Sequence, residues 1–181
     1  MNQSHDFEID LREYIRSVPD FPKPGVNFYD ITTLMREPVA FREALNRMEA
    51  YARDRDAERI VGIEARGFVF GSALADRLKI GFAPARKPGK LPYKTVEQEY
   101  SLEYGTDKVE MHVDAITKHE RVLIVDDLIA TGGTLKATCQ LVEQLGGKVV
   151  GISTVIELSF LPWRDLLKDY DVNFLMSFDS E

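Results

Sequence analysis

Short apolar runs alternate along the chain with longer segments whose apolar residues recur every three or four positions. The short runs are predicted strands at 59–63, 81–86, 108–113, 122–125 and 148–157. The periodic segments are predicted helices at 10–17, 38–52, 68–78 and about 135–145. Strands that alternate with helices predict an α/β fold with a mostly parallel central sheet flanked by helices.

Two stretches interrupt this alternation. Pro19, Pro22, Pro24 and Gly25 predict an irregular segment, because proline fixes its own backbone and lacks an amide donor. The stretch 87–104 is charged and contains proline and glycine, so it is predicted to be one long loop. Loops of that length in a compact domain are usually functional or disordered.

The most informative polar motif begins where the strand 122–125 ends. Asp126 and Asp127 follow directly, and the small-residue loop Ala-Thr-Gly-Gly-Thr at 130–134 leads into the next helix. Backbone amides and threonine hydroxyls at a helix start suit a phosphate. Adjacent carboxylates suit sugar hydroxyls or a hydrated cation. A ligand that carries both a ribose and a phosphate would satisfy both halves.

Each half of this motif has a simpler interpretation when taken alone. Paired acids at a strand end are often only solvated, and Thr-Gly-Gly is often only a turn. It is their order along the chain that favours a binding site. The run has no Gly-Lys-Ser/Thr of a Walker loop and no Gly-x-Gly-x-x-Gly of a dinucleotide fingerprint.

A second candidate site follows the strand 59–63. Glu64, Ala65, Arg66 and Gly67 form a predicted tight turn, and the Arg66 guanidinium suits bidentate contact with a phosphate. Ligands of such sheets bind at the carboxyl ends of the strands. We therefore expect this turn and the 126–134 loop at the same edge; the alternative is a surface arginine before a helix.

Composition and charge narrow the classes of function. A chain of 181 residues with 44% hydrophobic residues suits one domain with a sizeable core. The net charge of −7 argues against a nucleic-acid partner. A local cationic pocket made by Arg66, Arg86, Lys87 and Lys90 would still suit a small anion, although a solvated run of charges is the plain alternative for the last three.

Cysteine and histidine are sparse. Cys139 is the only cysteine, so no internal disulfide can form and a reducing, cytoplasmic compartment is expected. The three histidines form no cluster, so no protein-held metal site is expected. The polar N terminus and the absence of an 18-residue apolar stretch predict neither a signal peptide nor a membrane span.

The run VLIVDDLIATGGTL resembles the phosphoribosyl pyrophosphate signature of the type I phosphoribosyltransferases. Four further segments occur in the order seen in the members that use adenine: PDFPKPGVNFYDIT, GIEARGFVFG, RKPGKLP and SLEYG. The resemblance extends over roughly 11–175. It departs at Tyr29, where relatives often carry arginine, and at Trp163-Arg164, where they often carry Gly-Arg.

The resemblance implies a single domain over 1–181, with a small hood from about 19–33 and the C-terminal segment, a mobile lid at about 87–104, and a homodimer. It implies transfer of the 5-phosphoribosyl group from phosphoribosyl pyrophosphate to adenine, which yields AMP and pyrophosphate. Alternatives are a sister enzyme for xanthine, hypoxanthine or orotate, and a non-catalytic regulator that binds phosphoribosyl pyrophosphate. Magnesium, held mainly through substrate phosphates and water, is the implied cofactor.

Site roles follow by position, some from the residue chemistry above and some from the resemblance. Asp126 and Asp127 would bind the ribose, and Glu103 would handle a proton on the purine; these three and Arg66 are the candidate catalytic residues. The 5-phosphate site would be formed by Ala130, Thr131, Gly132, Gly133 and Thr134. The pyrophosphate site would be formed by Ala65, Arg66, Arg86, Lys87, Lys90 and Tyr104. The base site would be formed by Val26, Asn27, Phe28, Tyr29 and Leu158.

Overall fold

A computed structural model describes residues 9–101 and 105–180 of the chain. After a 3-10 helix at Leu11–Tyr14, the strands are β1 (Arg16–Val18), β2 (Phe28–Asp30), β3 (Arg59–Ile63), β4 (Gly81–Ala85), β5 (Thr95–Ser101), β6 (Thr106–His112), β7 (Arg121–Val125), β8 (Leu128–Ile129), β9 (Lys148–Leu158) and β10 (Val172–Phe178). The helices are α1 (Thr32–Arg36), α2 (Pro38–Asp54), α3 (Gly67–Leu78), α4 (Gly133–Gln144) and α5 (Trp163–Leu166).

A six-stranded sheet forms the centre of the fold. Its order is β10-β9-β7-β3-β4, with β8 paired to β9, and every pairing in it is parallel. The predicted α/β architecture with a mostly parallel sheet is therefore confirmed. Strand β7 is central and its last four residues are fully buried, as expected for a parallel strand covered on both faces.

Alternate residues of β7 face two different cores. Leu123 and Val125 pack with α2 and α3 on one side of the sheet. Val122 and Ile124 pack with α4 and β6 on the other side. The fold is thus a three-layer arrangement whose central strand carries the predicted motif at its carboxyl end.

The stretch predicted as one loop, 87–104, differs from the prediction. Its part Thr95–Ser101 is strand β5, which pairs antiparallel with β6 to form a separate two-stranded sheet. The partly buried residues Val96, Gln98 and Tyr100 alternate with exposed residues, because one face of this strand packs on α4. The predicted strand at 108–113 is β6 and lies outside the central sheet.

The helix predicted at 10–17 was also wrong in its second half. The 3-10 helix ends at Tyr14, Ile15 is extended, and β1 follows. Val18 precedes Pro19, and a residue before proline is pushed towards extended backbone. Strand β1 pairs antiparallel with β2.

Candidate active site

The two motif loops lie side by side at one edge of the sheet. Strands β3 and β7 are parallel neighbours, and the 64–67 turn and the 126–134 loop follow their carboxyl ends. Arg66 Nε lies 2.7 Å from Asp127 Oδ2. The expectation that both loops share one edge is therefore confirmed.

The turn after β3 brings a helix start against the acid pair. The Glu64-Ala65 peptide bond is cis, and α3 begins two residues later at Gly67. Gly67 lies against Val125, the last residue of β7, and against Asp126, which follows it. The positive end of the α3 dipole thus lies beside the Asp126 carboxylate.

Main-chain hydrogen bonds fix the acid pair. The Asp127 carbonyl accepts hydrogen bonds from the N–H groups of Val155 (3.1 Å) and Ile156 (2.9 Å) on β9. The Asp127 N–H donates to Asp126 Oδ1 at 2.9 Å. The Asp127 side chain is only 8% exposed, whereas Asp126 is partly exposed and lines a cavity.

Burial and mutual repulsion shape the electrostatics of this pair. Although Asp126 reaches the cavity, protein atoms surround its carboxyl; this desolvation, together with the charge of Asp127, raises the pKa of Asp126 well above its ordinary value. Burial also raises the pKa of Asp127, and the Arg66 guanidinium opposes that shift. Asp126 presents a carboxylate to the cavity that can accept hydrogen bonds from hydroxyl groups. Asp127 is nearly buried and its carboxylate pairs with Arg66.

The small-residue loop forms the wall of an open cavity of about 100 Å³. Gly132 has φ +81°, a left-handed conformation suited to glycine, and α4 begins at the next residue. The cavity is lined by Asp126, Leu128, Ala130, Thr131, Gly132, Gly133, Thr134 and Leu135. The structure therefore brings all five predicted 5-phosphate residues together with Asp126.

Two aromatic residues brace this loop, and sequence reasoning assigned a role to neither. A Cβ built on Gly133 would lie 3.0 Å from the Tyr100 ring, and one built on Gly132 would lie 3.2 Å from Trp163 Cβ. Close approach thus favours glycine at both positions, and the left-handed backbone favours it at Gly132 as well. The alternation of partly buried and exposed residues in β5 could have indicated that Tyr100 faces the protein. No sequence pattern indicated the position of Trp163.

Arg66, Arg86 and Lys87, three of the four predicted cationic residues, have acidic partners. Arg86 Nη2 lies 2.7 Å from Glu64 Oε1, and hydrogen bonding from this guanidinium lowers the pKa of the Glu64 carboxyl. Lys87 pairs with Asp107 and donates to the Tyr100 hydroxyl at 2.9 Å. The cluster is therefore a set of ion pairs, and its cationic character is smaller than the sequence indicated.

Lys90 follows Lys87 in the chain and contacts Arg86 through its main chain. Its carbonyl accepts a hydrogen bond from Arg86 Nη1 at 3.1 Å, and the residue is exposed. The Arg86 guanidinium also lies 5.9 Å from the Phe68 ring centre. Arg86 thus joins the 64–67 turn to the 86–90 segment.

The predicted base-site residues separate into two groups. Phe28 lies near the acid pair, because the Arg66 guanidinium is 5.5 Å from the centre of its ring. The Tyr29 ring instead stacks on Phe178 with 4.1 Å between ring centres, and its hydroxyl donates to the Ser180 carbonyl. Asn27 Oδ1 accepts a hydrogen bond from Ser17. The side chains of Tyr29 and Asn27 are therefore used within the fold.

The remaining base-site candidates lie in a turn and at the end of β9. The Val26 N–H donates to the Lys23 carbonyl at 3.3 Å. Leu158 is partly buried against the α2–α3 core. Its neighbour Glu157 is 1% exposed and pairs with Arg164. Glu103 and Tyr104 lie outside the described residues.

In the described ranges, no group of three or more His, Cys, Asp or Glu side chains is arranged to hold a metal ion. Over the same ranges, no helix combines the length and apolar character needed to cross a membrane.

Comparison with known proteins shows the family. The phosphoribosyl transferase domain family matches residues 42–172. The adenine phosphoribosyltransferase of Koribacter versatilis is 54% identical over 169 residues, which cover 93% of each chain. That of Thermotoga petrophila is 52% identical over 168 residues, covering 93% of this chain and 99% of the relative.

Solved structures agree with this assignment. The adenine phosphoribosyltransferase of Thermoanaerobacter pseudethanolicus superposes with a TM-score of 0.90 at 48% identity, covering 93% of this chain and 98% of the other. That of Saccharomyces cerevisiae, solved in complex with an imino-altritol bisphosphate and adenine, gives 0.87 at 38% identity, covering 92% and 96%. The chain belongs to the phosphoribosyltransferase family, among the adenine phosphoribosyltransferases.

Proposed function

We propose that this chain transfers the 5-phosphoribosyl group of phosphoribosyl pyrophosphate to adenine, which yields AMP and pyrophosphate. The observation that carries this proposal is the cavity in which a small-residue helix start adjoins the Asp126 carboxylate. A phosphate and a ribose on one ligand match these two halves. The adenine bound in the yeast relative supports the choice of base.

The 5-phosphate is held by the loop 130–134. The backbone amides at the start of α4 and the hydroxyls of Thr131 and Thr134 donate to its oxygens. Asp126 and Asp127 accept hydrogen bonds from the ribose 2′ and 3′ hydroxyls. Their negative charge also stabilises the oxocarbenium character that develops at C1.

The leaving pyrophosphate is held at the 64–67 turn and the 86–90 segment by Ala65, Arg66, Arg86, Lys87, Lys90 and Tyr104. Arg66 already contacts Asp127, so it can hold pyrophosphate beside the ribose. A magnesium ion bound mainly through substrate phosphates and water would neutralise the charge of the departing group.

Reaction at the sugar requires no covalent enzyme intermediate. Purine N9 attacks C1, the bond from C1 to the pyrophosphate oxygen breaks with its electron pair, and the N9 proton leaves. Glu103 is the proposed group for proton handling on the purine. The protein contributes mainly positioning and charge stabilisation.

The base is held between apolar side chains of the hood and of the end of β9. Phe28 and Leu158 are the proposed walls. Main-chain groups of Asn27 and the Val26 carbonyl read the purine edge, since the Val26 N–H donates to the Lys23 carbonyl. Tyr29 supports the hood from behind through its stack on Phe178. Recognition of adenine by the main chain is compatible with the side-chain contacts of Asn27 and Tyr29, which are made within the protein.

The segment 87–104 is proposed to close over the substrates with Tyr104, which would exclude water from the activated sugar. Limited proteolysis tests closure. Phosphoribosyl pyrophosphate should protect the region 90–104 from cleavage, and unchanged cleavage would contradict a lid.

A homodimer in the cytoplasm completes the proposal. Val39 on α2 and Val69 on α3 are exposed apolar residues, which supports a contact with a second copy. The one cysteine is buried in α4, which suits a reducing compartment. Light scattering in solution measures the oligomeric state.

The deciding experiment is a turnover assay in which the protein receives adenine, hypoxanthine, xanthine and orotate together with phosphoribosyl pyrophosphate and Mg²⁺. AMP should be the dominant nucleotide product. A different nucleotide would identify a sister enzyme. The absence of any nucleotide, with binding of phosphoribosyl pyrophosphate and a shifted band in a gel assay with nucleic acid, would identify a regulator.

A further inference from the structure

We propose that Glu110 is a positioning residue for the pyrophosphate side of the site. Its buried carboxylate holds the 86–95 segment, which carries Arg86, Lys87 and Lys90. This inference rests on the proposed function, because it assigns a purpose to the segment that would bind the leaving group.

Glu110 lies in β6 at the point where the 86–95 segment crosses from one side of that strand to the other. On one side its N–H and carbonyl exchange hydrogen bonds with the carbonyl (2.8 Å) and N–H (3.0 Å) of Arg86. On the other side Glu110 is paired in register with Glu97 of β5. The 86–95 segment must therefore pass over this point of β6.

The Glu110 side chain lies beneath that crossing. It is 5% exposed, and Oε1 accepts hydrogen bonds from the N–H groups of Gly89 (3.1 Å) and Leu91 (3.4 Å). Oε2 accepts one from the Thr95 hydroxyl at 3.2 Å. One carboxylate thus fixes the middle and the far end of the segment.

These contacts explain why a carboxylate is buried there. A buried carboxylate is costly unless donors satisfy it, and here all three donors belong to the crossing segment. Other contacts hold the segment at Lys87, whose N–H donates to Glu64 Oε2 at 3.2 Å, and at the Lys90 carbonyl, which accepts from Arg86. Gly89, which is in the left-handed region at φ +77°, is held by the Glu110 carboxylate. Without Glu110, Arg86 would keep its pair with Glu64. Gly89 and Leu91, on either side of Lys90, would lose their hydrogen bonds to the carboxylate, so the position of Lys90 would be less well fixed.

Binding measurements separate positioning from general stability. Glu110→Ala should weaken pyrophosphate binding and raise KM for phosphoribosyl pyrophosphate by about tenfold, the scale of a few lost buried hydrogen bonds. Its affinity for AMP, which occupies the phosphate, ribose and base sites but not the pyrophosphate site, should stay within about twofold.

Glu110→Gln is the conservative variant. Its amide oxygen can accept from Gly89 and Leu91, and its amide nitrogen can donate to the Thr95 hydroxyl, which also accepts. Pyrophosphate affinity should therefore return to within about twofold of the unaltered protein. Thr95→Val removes one donor and should weaken pyrophosphate binding in the same direction by a smaller factor; this variant also serves if Glu110→Ala does not fold.

Glu120→Ala is the matched control. Glu120 is also a largely buried carboxylate, bonded to the Thr117 N–H (2.8 Å) and to Arg59, but it lies just before β7 at the opposite edge of the sheet. It should lower the melting temperature and leave affinity for pyrophosphate and AMP unchanged.

Two outcomes overturn the role of Glu110. One is a Glu110→Ala protein that binds pyrophosphate as well as the unaltered protein or loses AMP affinity equally. The other is a Glu110→Gln protein as impaired as Glu110→Ala. If the unaltered protein binds no pyrophosphate and makes no AMP, the proposed function is contradicted, and so is the role of Glu110.

Discussion

The Asp126 carboxylate occupies the space that a side chain at Gly67 would need. A Cβ built on Gly67 would lie 3.0 Å from Asp126 Oδ1 and 2.7 Å from the Val125 carbonyl oxygen. Both are closer than ordinary contacts, and the carbonyl belongs to the rigid central strand. The absence of a side chain at Gly67 therefore lets α3 begin against the acid pair.

Gly67→Ala should push α3 away from the end of β7. We expect a loss of stability of about 1–3 kcal/mol from overpacking and a fall in kcat/KM, because Arg66 precedes the displaced residue. Denaturant unfolding and turnover measure the two effects. Ser72→Ala, at an exposed position of the same helix, should change stability by no more than about 0.5 kcal/mol; a similar loss in both variants would contradict the steric argument.

Asp126→Asn should raise the melting temperature at neutral pH. Burial raises the pKa of Asp126 above 3.8, so the folded protein bears a cost for the ionised carboxylate that the unfolded chain does not. Removing the charge should raise Tm by on the order of 2–4 °C per kcal/mol relieved. Scanning calorimetry from pH 3 to 8 is the measurement.

The stability gained by Asp126→Asn should depend on pH in a direction set by the raised pKa. A group whose folded pKa is raised contributes stability below its unfolded pKa and loses it as pH rises through the folded pKa. The difference between Asp126→Asn and the unaltered protein should thus be largest near neutrality and shrink as the pH falls towards 3.8. Asp114→Asn, which alters an exposed carboxylate, should show no such trend. A lower Tm of Asp126→Asn at pH 7 would contradict the assignment.

Replacing both aspartates should separate activity from folding. Asp126→Asn combined with Asp127→Asn should reduce kcat/KM by at least about 100-fold, because the charge that stabilises the transition state is gone. Circular dichroism should be unchanged. Asp54→Asn with Asp56→Asn, a pair of exposed acids at the end of α2, is the matched control. Near-normal turnover in the Asp126/Asp127 variant would contradict the assigned role.

The 126–134 motif could be predicted because its parts are local. A buried run, two acids and a glycine loop occur within fourteen consecutive residues, from Val122 to Leu135, and each has a physical signature of its own. The ion pairs could not be predicted. Arg86 and Glu64 are separated by 22 positions, and Lys87 and Asp107 by 20, so their pairing depends on strand packing that no local pattern encodes.

Strand β5 was missed for a related reason. Its alternation of Val96, Gln98 and Tyr100 is present in the sequence, but the intervening glutamates made the stretch resemble a charged loop. Tertiary packing against α4 decides in favour of a strand. The contact of Tyr100 with Gly133 was missed together with it.

Lys90 and Lys94 provide a test of the pyrophosphate site. Lys90→Ala should raise KM for phosphoribosyl pyrophosphate by about tenfold, the loss of one charge-assisted contact. Lys94→Ala removes the same charge from the same exposed segment and should leave KM nearly unchanged. Equal effects of the two substitutions would indicate general electrostatic attraction instead of a specific contact.

The single tryptophan should report on the phosphate loop. Trp163 is 4% exposed, lies against Gly132, and has the Arg164 guanidinium 4.4 Å from its ring centre. Binding of AMP or ribose 5-phosphate at 130–134 should alter its emission, whereas pyrophosphate alone should not. Gly132→Ala, which strains a left-handed position, should abolish the response; an unchanged spectrum on AMP binding by the unaltered protein would contradict the coupling.

The adjacency of β3 and β7 has a geometric consequence for the substrate. Neighbouring strands are about 4.8 Å apart, and this chain carries one proposed anion site on each of the two. The hydrogen-bonded pairing of β3 and β7 therefore sets the spacing between the two strand ends from which these loops depart. Substitutions in the loops can alter affinity, but the spacing of the strand ends that carry them is set by backbone hydrogen bonds.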